Sequence, residues 1–108
     1  MTIQPGEFWV ADIPFTNAAA SKKRPVLVLW LDGPDLVAAA VTTANPRSQF
    51  DVALVEWKLA GLRRASTVRL SRLDCLEVSL FIGRIGLISA TDAENVRQTW
   101  AAHVRPQF

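Results

Sequence analysis

Cysteine is almost missing from this 108-residue chain. Cys75 stands alone, so no intrachain disulfide can form, and with His103 as the single histidine a Cys/His zinc site has too few ligands. An excess of one charge is also lacking. Twelve Lys plus Arg against ten Asp plus Glu leave a net charge of +2, too small to demonstrate a nucleic-acid partner but compatible with one if the arginines gather on one face. Long apolar runs are absent as well: the longest is broken at Asp32-Gly33-Pro34-Asp35 and falls short of a membrane span. The start, Met1-Thr2-Ile3-Gln4-Pro5-Gly6, has no basic region followed by an apolar run, so no signal peptide is read. A soluble cytoplasmic protein with no membrane partner is expected. There is no glycine-rich phosphate loop, nucleophile elbow or dinucleotide fingerprint.

What the chain does contain is enough apolar residue, 50%, for one core, so residues 1–108 are expected to form a single domain. Nine of the twelve cations are arginine, the side chain suited to bidentate phosphate contact. Pro5-Gly6 punctuates the start, and residues 7–13, with Phe8, Trp9 and Val10, read as a first strand ended by Pro14. Residues 15–21 read as a loop. A second strand over about 24–31 is continuously apolar, which implies burial on both faces as in a small barrel. The tight turn Asp32-Gly33-Pro34-Asp35 leads to a third strand over 36–43. So short a connection makes the pair antiparallel. Further strands are expected over 51–57 and 66–70, with a short one near 73–77, while 80–88 is ambiguous because of Gly83 and Gly86. Thr91-Asp92-Ala93-Glu94 fits a capping box, and Ala93, Val96, Trp100 and Val104 mark one face of a terminal helix stopped by Pro106.

The stretch that organises the chain is Ser21-Lys22-Lys23-Arg24-Pro25 with the apolar run behind it. Two readings are open from the residues alone. The cations line a solvated turn before a buried strand, or the strand holds Arg24 rigidly at its mouth, where a guanidinium binds phosphate through its planar fork of donors. Antiparallel pairing sets Arg24 beside Thr42 and Thr43, and Arg69 is nearby if the barrel closes. An arginine and a hydroxyl suit transfer at an RNA phosphate, where the substrate's own 2′-hydroxyl attacks and the protein orients groups and stabilises charge. His103 falls in the last helical turn, where a cation complements the dipole; Cys75 reads as a small hydrophobe. Asp12, Asp51, Asp74 and Glu77 have no ligand spacing, so neither a metal nor a cofactor is expected. Trp30 and Trp100 read as packing residues, and Trp9 or Phe15 as surfaces for stacking a base.

Gly6-Glu7-Phe8-Trp9-Val10-Ala11-Asp12-Ile13-Pro14-Phe15-Thr16, followed by Lys22-Lys23-Arg24-Pro25-Val26-Leu27-Val28-Leu29, resembles the N-terminal signature of the MazF/PemK toxins. Trp57, Ala60-Gly61-Leu62, Ser66-Thr67-Val68-Arg69-Leu70-Ser71-Arg72-Leu73 and Ile82-Gly83-Arg84-Ile85-Gly86 continue the likeness in order. The resemblance implies a mainly β fold, an SH3-like antiparallel barrel (MazF/CcdB-like) with a C-terminal helix, usually homodimeric. It also implies metal-independent cleavage of single-stranded RNA at short sequences, leaving a 2′,3′-cyclic phosphate and a 5′-hydroxyl, and a cognate antitoxin, here expected to carry an acidic disordered segment. The family's catalytic arginine and threonine fall on Arg24 and Thr42. Arg24 would stabilise the phosphorane and protonate the leaving oxygen, Thr42 would bond the scissile phosphate, and Lys22, Lys23, Thr43 and Arg69 would hold RNA. Two features depart from the family: Ser71 stands where some members have aspartate, and the first loop has no histidine, so the general base and acid are unassigned. A gyrase poison on the same barrel and a non-cutting binder of RNA or antitoxin are the rival functions.

Overall fold

Six strands and one helix follow one another as β1 (Glu7–Pro14), β2 (Ser21–Asp32), β3 (Asp35–Thr42), β4 (Asp51–Ala53), β5 (Thr67–Glu77), β6 (Phe81–Leu87) and α1 (Ala90–His103), with a 3₁₀ turn at Val78–Leu80 between β5 and β6. These elements come from a computed structural model that describes residues 2–14 and 21–108. The strands form one sheet in the order β4-β5-β3-β2-β1-β6, and every neighbouring pair is antiparallel. The fold is mainly β with a C-terminal helix, as the sequence implies. Closure of the barrel is not: β4 and β6 are the two edges and do not pair with each other. β4 has only three residues to offer, and the segment that approaches β6 is the turn through Ala60 and Gly61, whose backbone lies against Gly86 and Ile85.

Both faces of the sheet are covered over residues 26–28, as the apolar run of β2 implies, but not at its far end, where Trp30 and Leu31 are exposed. Phe8, Leu27, Ala39, Val41, Val68 and Leu70 face one core, closed by Val96 of α1 with Trp100 and Val104 packed against it. Trp9, Ala11, Val26, Val28, Leu36 and Leu76 face a second core with Ile3 and Phe81. Alternation along β1 and β2 sends neighbours to opposite cores. Phe8 and Val68 are wholly inaccessible, and burying a side chain of this kind contributes about 1.5–3 kcal/mol.

Several boundaries differ from the sequence reading. β2 begins at Ser21, so Lys22 and Lys23 lie in the strand, opposite Ile13 and Asp12. The expected strand 51–57 stops at Ala53 because the chain then turns. Two backbone amides of that turn, Val55 N and Glu56 N, each donate to the buried Asp92 carboxylate at 2.8 Å. The two expected strands within 66–77 are one long β5. The helix is capped by Ser89, whose Oγ accepts from Asp92 N at 3.1 Å, rather than by Thr91. Asp92 is already occupied with the turn it anchors, and it sits where an anion favours the helix dipole. The apolar face of α1 packs as its spacing predicts.

Candidate nucleic-acid site

The β2–β3 hairpin carries the residues that its sequence singles out to one end of the sheet. Its paired positions run Asp32↔Asp35, Leu31↔Leu36 and Trp30↔Val37, shift by one residue, and continue as Val28↔Ala38, Leu27↔Ala39 and Val26↔Ala40. The ladder ends there, beside Pro25, which has no N–H to donate. Two more residues in the same register set Arg24 opposite Thr42. Arg24 also pairs with Ala11, Thr42 with Thr67, Ala40 with Arg69, and Arg69 with Asp51. Directly opposed residues project from the same face. Lys22, Arg24, Thr42, Thr67, Arg69 and Asp51 therefore share one face at one end of the sheet, while Lys23 and Thr43 take the other.

Local bonds tune these groups. Thr42 Oγ1 accepts a hydrogen bond from Ala44 N at 3.2 Å, which leaves its own O–H to donate to a bound oxygen. Asp51 accepts from Arg69 Nε at 3.3 Å through Oδ1 and from Arg47 N at 2.8 Å through Oδ2. The Asp51 side chain is 1% exposed and that of Arg69 24%. Arg69 is thus held through Nε, with its terminal nitrogens remaining for a ligand. Asp51 organises both Arg69 and the loop after β3, a role hidden from sequence because it depends on register.

A groove of about 600 Å³ opens at the same end of the sheet. Three arginines, Arg63, Arg64 and Arg84, line it with the hydroxyl-bearing Thr43 and Ser66, and Pro25, Leu62 and Ile85 supply apolar wall. No carboxylate is among its lining residues. Arg84 Nε donates to Glu7 Oε2 at 2.6 Å, and Glu7 Oε1 accepts from Gln4 N at 2.7 Å and Trp9 Nε1 at 3.1 Å. Burial alone would raise the Glu7 pKa; the bonds from Arg84, Gln4 and Trp9, with the charge of Arg84, outweigh it and hold the carboxyl below its ordinary range. Sequence reasoning missed this groove because Arg63-Arg64 and Arg84 are about twenty residues apart and meet only when the turn folds over β6. The one available signal was the doublet itself.

Other candidates separate from the site. Trp9 is 3% exposed with its indole N–H on Glu7, so it offers no surface for a base. Phe15 lies outside the described residues. Trp30 packs edge-to-face on Trp100 with centroids 5.7 Å apart, as a packing residue should, yet 41% of it is exposed. His103 lies in the last helical turn against Phe50, centroids 6.3 Å apart. Cys75 is exposed, not the buried hydrophobe the sequence suggests. Among the described residues no three His, Cys, Asp or Glu side chains gather as a metal site. No helix of the described residues is long and apolar enough to cross a membrane.

The same fold occurs in solved structures. An endoribonuclease from a mycobacterial species, in complex with its cognate antitoxin, superposes with a TM-score of 0.78 at 15% identity over 95% of both chains. A second mycobacterial endoribonuclease gives 0.75 at 15% identity over all of this chain and 97% of that one. MazF from Deinococcus radiodurans gives 0.71 at 20% identity, with 96% and 97% covered. At such identities the likeness concerns the fold. No curated protein matches the chain by sequence. The family of PemK-like, MazF-like toxins of type II toxin-antitoxin systems does match, over residues 4–104. A match of that extent, carrying the Arg24 strand, the long β5 and the terminal helix in order, places the chain in the PemK/MazF toxin family.

Proposed function

We propose that this toxin is a cytoplasmic, metal-independent endoribonuclease that cuts single-stranded RNA by attack of the 2′-hydroxyl on the adjacent phosphorus. The observation that carries the reading is the apposition of Arg24 and Thr42 on one sheet face, where the β2–β3 ladder ends. The 2′-oxygen forms a bond to phosphorus as it loses its proton, the P–O5′ bond breaks, and the leaving 5′-oxygen takes up a proton. The products are a 2′,3′-cyclic phosphate and a 5′-hydroxyl. Arg24 stabilises the negative charge that grows on the phosphoryl oxygens, and the Thr42 hydroxyl donates to one of them. Lys22, on the Arg24 face, and Arg69, through its terminal nitrogens, hold neighbouring phosphates. Lys23 and Thr43 act from the opposite face.

The endoribonucleases with this fold include one in complex with its antitoxin, and this chain's partner is read likewise as a cognate antitoxin, with an acidic disordered segment that complements the chain's basic surface. Homodimerisation would cover the exposed apolar side chains Trp30 and Leu31. The test is cleavage of a long single-stranded RNA in EDTA by the native protein and by Arg24→Ala, with product ends mapped. Discrete cuts bearing 5′-hydroxyl ends, lost in the variant, support the reading. Intact RNA with folded native protein refutes it, as does cutting that Arg24→Ala retains.

A further inference from the structure

The groove at the Arg24–Thr42 end of the sheet, on the opposite face, is built more firmly than surface arginines require. Its outer wall is the turn that follows β4, and each end of that turn is tied down. Asp92, 1% exposed, receives Val55 N and Glu56 N. Gly61 N and Leu62 N donate to Lys58 O and Trp57 O, and Ser66 Oγ donates to Arg64 O at 2.8 Å. Ala60 O approaches Gly86 so closely that a side-chain carbon there would lie 1.9 Å away. The turn is thereby seated on β6, and Arg63 and Arg64 stand at its tip. Across the groove Arg84 is fixed through Nε by Glu7, which leaves its terminal nitrogens without a hydrogen-bond partner among the described residues.

Arg63 and Arg64 are exposed and Arg84 is paired with Glu7, so the groove keeps a net positive charge that an anion complements. An apolar wall of Pro25 and Ile85 beside these arginines suits a ligand with both phosphates and flat apolar faces. A nucleic-acid strand has both, whereas an acidic peptide offers carboxylates without the flat faces. The groove also abuts Pro25 and Thr43, which take the face opposite to Arg24 and Thr42, so a strand with its scissile phosphate at that pair reaches the groove by passing round the end of the sheet, where Lys23 and Thr43 lie.

We infer that Arg63, Arg64 and Arg84 bind the phosphates of single-stranded RNA flanking the cleavage point, with the half-buried Ile85 beneath a base and Glu7 as the positioning residue for Arg84. The inference rests on the RNA-cleaving reading above, and it assigns that site a second set of contacts.

The test is equilibrium binding of a short 2′-O-methyl RNA of mixed sequence, which lacks the attacking hydroxyl, as a function of salt, with cleavage of unmodified RNA measured in parallel. Each single-strand phosphate contact contributes about 0.7 to the slope of log K against log salt. Replacing Arg63, Arg64 and Arg84 together by alanine is expected to flatten the slope by about 2, and Arg63→Ala/Arg64→Ala, both exposed and safe for folding, to remove most of that. Glu7→Gln is expected to weaken binding in the native background and to add nothing in the Arg84→Ala background; a merely structural role would weaken both alike. An unchanged slope in the triple variant, with native cleavage intact, overturns the groove assignment and leaves the proposed activity standing. Loss of polyglutamate binding with RNA binding unchanged marks a peptide channel and overturns it too. A native protein that neither binds nor cuts RNA overturns both readings.

Discussion

Carried two residues past its last pair, Val26↔Ala40, the β2–β3 register sets Arg24 level with Thr42, not Thr43, because of a one-residue shift in β2 between Val28 and Trp30. Without that shift the pairs set by the turn, Asp32↔Asp35 onward, would bring Thr43 opposite Arg24. Side chains of adjacent residues take opposite faces, so Leu29 decides which hydroxyl shares a face with the arginine. Thr42→Val keeps the β-branched shape and removes the donor. It is expected to lower the cleavage rate constant about 10²–10³-fold, while Thr42→Ser retains most of it. Thr43→Val, altering a groove-lining residue, is expected to raise KM with little change in kcat. Single-turnover cleavage over a range of RNA concentrations separates the two outcomes.

Asp51 and Arg69 form a partly buried pair whose two halves are not equivalent. Arg69→Met leaves a carboxylate with a 1% exposed side chain without its cation and is expected to cost about 3 kcal/mol, the low end for a broken buried pair. Asp51→Asn removes the charge but keeps the shape and is expected to cost about 1–2 kcal/mol, since Arg69 can turn toward solvent. The double variant should be more stable than Arg69→Met alone. Urea denaturation of the three variants checks the order.

Glu7 makes stability depend on acid pH in a defined direction. Its folded-state pKa lies below the ordinary 4.5, so the unfolded chain binds its proton first as pH falls. The carboxylate's contribution is complete above the ordinary value and is lost as pH drops through the depressed one. Thermal midpoints measured from neutral pH downward should therefore fall below about pH 4.5, and Glu7→Gln should fall less steeply over the same interval. Parallel curves for the two proteins would show that the Glu7 cluster with Arg84 and Trp9 has no linkage to folding.

Much of the site's frame was legible in the chain. The four-residue turn Asp32-Gly33-Pro34-Asp35 forces β2 and β3 to run antiparallel, and that alone brings Arg24 near the end of β3. The continuous apolar run Val26 to Leu31 announced burial on two faces, which holds over residues 26–28 but not at the exposed Trp30 and Leu31, and it suggested a closed barrel where the sheet stays open with a core on each side. What was not legible depends on tertiary contact. The position of the β2 shift, the grip of Asp92 on the amides of Val55 and Glu56, and the meeting of Arg63-Arg64 with Arg84 across the turn leave no periodic trace. Nor could the capping residue be chosen by pattern, since Ser89 and Thr91 both precede acidic residues at suitable distances.

Gly83 and Gly86, which blurred the reading of β6, have opposite structural weight. An added Cβ at Gly86 would meet Ala60 O at 1.9 Å and Ala60 C at 2.8 Å, backbone atoms that cannot swing aside, so Gly86→Ala must push the turn off the strand. At Gly83 an added Cβ meets nothing within 4 Å. Gly83→Ala is thus expected to be neutral or to stabilise by about 0.4–1 kcal/mol, through a less flexible unfolded chain. Gly86→Ala is expected to cost about 1–3 kcal/mol, as other overpacked sites do. It should also weaken RNA binding, because Arg63 and Arg64 ride on the displaced turn. Denaturation together with binding of the 2′-O-methyl RNA distinguishes this from a purely local defect. If Gly86→Ala folds with native stability and binds RNA as before, the turn is not seated on β6 as described, and the groove loses its outer wall.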